Sequence, residues 1–205
     1  VTLVTLKLSN LGFAAGVAAT CVACSRHARL AASRVRTIAA VGAALASIWL
    51  ARGYVMSGFP CYPSTLGGIA FDWAVPAEQA RRDANAVYSW ARQPWADLND
   101  VLGNTRWLDP WLHRARHNFE GIVAPVGIAL LGAFAALVIR LVPRRRPASG
   151  APGLAWPAVP IASGLVFWWF TAPDPRFANA LLWLLPIAAL LALAAIADAR
   201  LAYRP

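Results

Sequence analysis

Asp72 stands between Phe71 and Trp73, just ahead of Val75-Pro76, in the densest mixture of proline, glycine, aromatic and charged residues in the chain. A carboxylate flanked by aromatics can have its pKa raised and work as a general acid or base, or bind sugar hydroxyls beside a stacking ring. The same residue at the same place can equally serve as a turn or helix-entry acid. Lys7, Arg52 and Arg176 offer a second kind of chemistry. Lys7 lies inside the first apolar run, Arg52 near the end of the second, and Arg176 in the turn Ala172-Pro173-Asp174-Pro175-Arg176-Phe177. A cation in such a setting snorkels to the interface or meets an anion. A guanidinium suits a phosphate because its donors form a planar fork, so these three can make an anionic-headgroup site. Alternatively, Asp174 pairs with Arg176 and pins a turn that two prolines already stiffen.

Other candidates carry less. His113 and His117 are one helical turn apart, a spacing that can hold a metal. No Glu completes an HExxH arrangement, and Arg114 and Arg116 would repel a cation, so no metal site is assigned. A divalent metal is compatible with the chemistry, but no cofactor is named by any motif. Cys21 and Cys24 form a CxxC inside an apolar helical run, where small apolar packing explains them. Cys61 stands alone, and three cysteines make no disulfide framework. GxSxG, Walker A and dinucleotide-binding patterns are missing.

The elements that must position these residues follow from composition. Of the 205 residues 59% are hydrophobic and only 14% charged, with a mean hydropathy of +0.52; a soluble domain is nearer 45–50% apolar and about 25% charged. The expected class is an all-α membrane protein with about five transmembrane helices and a partly helical external loop, forming one integral-membrane region. The apolar runs are 3–24, 37–57, 121–142, 155–172 and 178–197, with the loop at 58–120. The net charge of +10 would suggest nucleic acid in a soluble chain. Here the bases gather at 25–36, 140–146 and 200–204, between apolar runs, and no basic face is left for nucleic acid. The loop is near neutral, with seven acids and six bases. By the positive-inside rule the basic segments face the cytoplasm, and the N-terminus, the loop and the turn at 173–177 face outward. Within the loop, Pro76 can open a helix over Ala77–Arg92, with Val87 and Trp90 one turn apart. A second short helix over about 107–119 presents Trp107, Leu108 and Trp111 on one side. Such helices lie along a membrane surface and would roof the bundle.

Three stretches resemble a known group of proteins. Tyr54 to Pro76 (YVMSGFPCYPSTLGGIAFDWAVP) is similar to the (S/T)GYPxYPS…DWxVP stretch of a group of bacterial polytopic membrane proteins that resemble GT-C-type glycosyltransferases. APDPRFA at 172–178 matches their PDPRF element, and Thr5 to Asn10 (TLKLSN) resembles their Lys-Leu-Ser span. Phe59 replaces the usual Tyr, and Cys61 a bulkier apolar residue. The resemblance implies an inner-membrane, multi-pass protein that takes a sugar from a polyprenyl-phosphate carrier in cell-envelope glycan assembly. Under it, Lys7, Arg52 and Arg176 would contact the carrier phosphate, and Tyr62, Asp72, Trp73 and Asp174 would shape the substrate pocket. GT-C enzymes keep their catalytic acid in the first external loop, which would precede Val1, so the chain reads as a piece of a longer protein. Asp72 is then the candidate acid or base within it. The alternative from another class is a non-enzymatic membrane protein that binds or moves a lipid-linked saccharide.

Overall fold

The computed structural model describes residues 11–28, 32–141 and 158–201. Within them every regular element is helical. α1 (Leu11–Ala28) and α2 (Ala32–Ser57) come first; α3 (Ala77–Arg92), α4 (Leu98–Val101) and α5 (Leu108–His117) belong to the loop. A π-helical turn (Phe119–Val123) then enters α6 (Ala124–Leu141), followed by α7 (Ala158–Thr171) and α8 (Pro175–Leu201).

Among the described residues, Ser33–Ser57, Phe119–Ile139 and Pro175–Ile196 are long and apolar enough to cross a membrane. Leu11–Cys24 and Ala158–Thr171 are apolar but shorter. The expected runs at 3–24, 121–142 and 155–172 lie partly outside the described residues, and Lys7 and the arginines at 144–146 lie wholly outside them.

Observed helix boundaries depart from the apolar runs where polar residues set them. α8 starts at Pro175 rather than 178 because Asp174 caps it: its Oδ1 accepts the Arg176 N–H at 2.9 Å. Proline at the first helical position gives up an N–H that would have no partner there anyway. α3 spans the expected Ala77–Arg92, with Pro76 at the cap position and the Pro76 carbonyl accepting from Ala80 at 3.0 Å. The start of α6 widens into a π turn. Asn118 caps it by accepting the Gly121 N–H at 2.9 Å, and both Ile122 and Val123 donate to the Asn118 carbonyl. Pro125, two residues beyond the π turn, brings no N–H to return to Gly121, which relaxes the tighter α register.

The helices pack as α6 on α8 and α1 on α7, with a smaller α7–α8 contact. Small residues make the close approaches, as helices in lipid require. A Cβ at Gly16 would meet the Pro160 Cα at 2.6 Å, and one at Gly132 would meet the Ala189 Cβ at 3.1 Å. α2 differs: its most apolar 18-residue window has no buried residue among those described.

The best-buried cluster lies where the loop meets the ends of α7 and α8. Val101, Trp107, Trp111 and Ala115 pack there with Trp168, Ala178 and Leu182. Trp107, Trp111 and Ala115 recur every fourth residue, so one stripe of α5 is interior. Val87 and Trp90 of α3 are instead partly exposed, and its buried residues are Ala80, Ser89 and Ala91.

Candidate functional site

The PDPRF turn is gripped from two sides by indole N–H groups. Trp111 donates to the Pro173 carbonyl at 2.5 Å, and Trp168 donates to the Asp174 carbonyl at 2.8 Å. Asp174 is buried, and its carboxylate accepts three bonds from Arg176: the backbone N–H, Nε at 3.0 Å and Nη2 at 2.8 Å. Burial by itself pushes this carboxyl up. The Arg176 bonds and charge, helped by the charge of Arg114, outweigh it and hold Asp174 below the usual carboxylate range. The pairing of Asp174 with Arg176 is therefore a property of the turn. It coexists with an open side of the Arg176 guanidinium, whose Nη1 makes no hydrogen bond among the described residues.

Two further arginines tie the loop to this end of the bundle. Arg92, at the last position of α3, donates to the Thr171 carbonyl at 3.1 Å and the Phe170 carbonyl at 3.0 Å. Those carbonyls end α7 and lack intrahelical partners, and a cation at a helix C-terminus is favourable. Its guanidinium also lies 5.2 Å from the ring centroids of Tyr88 and Trp107. Arg114, from α5, donates Nη2 to the Arg92 carbonyl at 2.6 Å. Its Nε is buried and has no partner among the described residues. Burial pushes both guanidinium groups below their ordinary value without discharging them. Neither Arg92 nor Arg114 stands out in the sequence. A usable signal is present all the same: Arg114 lies three residues after Trp111, on the edge of the buried stripe.

A cleft of about 390 Å³ opens beside this cluster, lined by Trp90, Trp95, Trp111, Arg114, Asn118 and Arg176 together with Asp174 and the apolar Pro94, Ala115, Ile122 and Pro175. Trp95 is 88% exposed, packs edge-on to Trp90 at 4.5 Å, and adopts φ 68°. That conformation is strained for a bulky side chain, at roughly 1–3 kcal/mol. A second cleft of about 690 Å³ shares Asn118, Pro175 and Arg176 with the first and adds Glu120, Gly121, Asn179 and Trp183.

The remaining sequence candidates lie elsewhere. Arg52 is exposed on the last turns of α2 and lines neither cleft. Tyr62, Asp72 and Trp73 belong to the folded stretch after α2, and they too line neither. That stretch is stitched back onto the helix end, with the Tyr54 hydroxyl donating to Gly67 at 2.7 Å and the Trp73 indole to Val55 at 3.2 Å. The Trp73 ring stacks on Phe71 at 4.6 Å with 5° between planes, which leaves one face open. Asp72 is exposed and unpaired among the described residues. The Tyr62 hydroxyl donates to Asp83 of α3; that bond, then burial and the Asp83 charge, push the phenol above its usual pKa. Burial raises the Cys61 thiol as well. The His113 and His117 rings lie 4.6 Å apart, tilted by 37°, and His117 Nδ1 lies 2.7 Å from the His113 carbonyl.

What the arrangement can do chemically is hold an anion. Two guanidinium groups with spare donors face one cleft, the Asp174 carboxylate on its wall is occupied by Arg176, and much of the remaining lining is indole. No curated protein and no solved structure matches the chain. A family model described as a domain of unknown function, DUF8201, matches residues 1–183, which include every residue of both clefts. The chain belongs to the DUF8201 family.

Proposed function

We propose that the chain is the carrier-binding part of a GT-C-like membrane glycosyltransferase, holding a polyprenyl-phosphate-linked sugar by its phosphate during cell-envelope glycan assembly. The observation that carries this reading is the buried, unpartnered Nε of Arg114 beside Arg176 in a tryptophan-walled cleft. A buried donor left unpaired costs about 1–3 kcal/mol, and a phosphate oxygen would relieve that cost with a charge-assisted bond. The strained Trp95 supports the same reading: its ring packs edge-on to Trp90 yet stays 88% exposed along the cleft, free to meet a ligand. Five apolar helices then cross a bacterial inner membrane, with the N-terminus and the loop outside and the arginine-rich segments in the cytoplasm. Lys7 and Arg52 are assigned to the same leaflet, where they would draw anionic headgroups toward the cleft.

Non-enzymatic binding or transport of the lipid-linked saccharide is the second reading. It is favoured by the first cleft itself, because Asp174 is committed to Arg176 and leaves no carboxylate there to take a proton. Binding tests the shared claim. In lipid nanodiscs, farnesyl phosphate should bind the wild-type chain, and Arg114→Gln and Arg176→Gln should each weaken it about tenfold, the worth of one charge-assisted bond. Saturable binding unchanged in both variants, or no binding by the wild type, overturns the phosphate site. Saccharide transfer by the full reading frame, lost with the same variants, separates enzyme from carrier protein.

A further inference from the structure

The second cleft has a different chemistry from the first. Its carboxylate, Glu120, is exposed and makes no ion pair or hydrogen bond among the described residues. Asn179 is exposed on the first turns of α8, and Trp183, one helical turn further, presents a ring that is 40% exposed. Asn118 spends its Oδ1 on the Gly121 N–H, and its amide nitrogen makes no hydrogen bond among the described residues. Gly121 keeps the π turn close against that amide: a Cβ there would come within 2.6 Å of the Asn118 Oδ1.

These groups select against charge. Glu120 repels a second anion, while Arg176 on the shared wall repels a cation. Among the described residues no group of three His, Cys, Asp or Glu is placed to hold a metal. A carboxylate that only accepts, an amide that donates and accepts, a second amide left with its donor, and an open indole face together match a ring carrying several hydroxyls. The volume of about 690 Å³ lies within the usual range for small-ligand sites, about 300–1,000 Å³.

We propose that the Glu120–Asn179–Trp183 cleft is a neutral saccharide compartment: Glu120, Asn179 and the Asn118 amide bind hydroxyls, and the sugar ring rests on Trp183. It rests on the proposed function in one respect, that a phosphate at Arg176 would join the two clefts into one site. The sugar of the carrier lipid is then read on the far side of Arg176 from the loop tryptophans. Trp183 lies about two turns along α8, roughly 12 Å by helix rise, a depth that suits an interfacial aromatic and a headgroup still tied to its lipid.

The test uses the full chain in nanodiscs free of glycoside detergents, with three probes: farnesyl phosphate, farnesyl phosphoryl hexose, and a panel of neutral methyl hexosides. The wild-type protein should bind the glycosylated lipid about tenfold more tightly than the bare phosphate, as two or three extra hydrogen bonds allow. Glu120→Gln and Asn179→Ala should reduce that preference to about twofold or less; Asn179→Ala should leave the affinity for bare farnesyl phosphate unchanged, and Glu120→Gln, which removes a repelling charge, should not weaken it. Equal wild-type affinity for both lipids, or a preference that survives in both variants, overturns the compartment. Bare phosphate that fails to bind, with methyl hexosides binding in a Glu120-dependent way, sinks the phosphate site and keeps the compartment. Failure of all three probes sinks both.

Discussion

The Asp174 carboxylate caps α8 through the Arg176 N–H and pairs with the Arg176 guanidinium while itself only 7% exposed at the side chain. Arg176 is 64% exposed, so solvent screens the pair and its worth is modest. Its sign is still definite. The folded carboxyl titrates below its ordinary value of 3.8, so its contribution is fully present above that value and is lost as pH falls through the folded one. We expect the wild-type melting temperature to fall on acidification below pH 3.8. Asp174→Asn, which still caps a helix, should melt lower at pH 7 and show a shallower acid slope. Parallel pH profiles for the two proteins would remove the pair from the account. At this scale the sequence is informative: two prolines around Asp174 and Arg176 announce a rigid turn and name its ion pair. It is silent on Arg92 and Arg114, because a guanidinium two residues beyond Trp90, or three beyond Trp111, has the same composition whether it faces water or a helix end.

The apolar helices are legible from hydropathy, since an apolar run in lipid has to satisfy its own backbone and does so locally, whereas the short α4 went unmarked in the sequence. Their ends are less so. Asp174 and Asn118 move the starts of α8 and the π turn by a few residues through capping, which hydropathy averages away. Pairing of the helices depends on where small residues fall. Gly12 and Gly16 bring α1 against Pro160, Ser163 and Phe167 of α7, whereas a Cβ added at Gly127 of α6 would meet nothing within 4 Å. Gly16→Leu should therefore cost about 1–3 kcal/mol by overpacking and lower the melting temperature. Gly127→Leu, on the same kind of helix, should not. Equal effects of the two would mean that the α1–α7 contact contributes little to stability. The spacing of Trp107, Leu108 and Trp111 marks the inner stripe of α5, yet its partner is the α7–α8 turn, bound through the Trp111 indole.

For the molecule as a whole, the test is topological. A reporter fused after Pro205 should be reachable only from the cytoplasm, and carbonate should leave the protein in the membrane fraction. Periplasmic access to that reporter would reverse the orientation proposed from the arginine clusters. The amino-acid sequence alone determined that the chain is helical and membrane-like, where its basic segments fall, and that Asp174 and Arg176 share a stiff turn. These properties are set by residues within a few positions of one another, through helix hydrogen bonds, turn chemistry and the solvation of apolar runs. Only the tertiary structure decided which charges meet. Arg92 reaches a carbonyl 79 residues away and Trp111 one 62 residues away. Such contacts follow from how whole helices stack, which no local pattern encodes. The same stacking put Arg114 beside Arg176 in one cleft, and left Tyr62, Asp72 and Trp73 on a separate stretch against the end of α2.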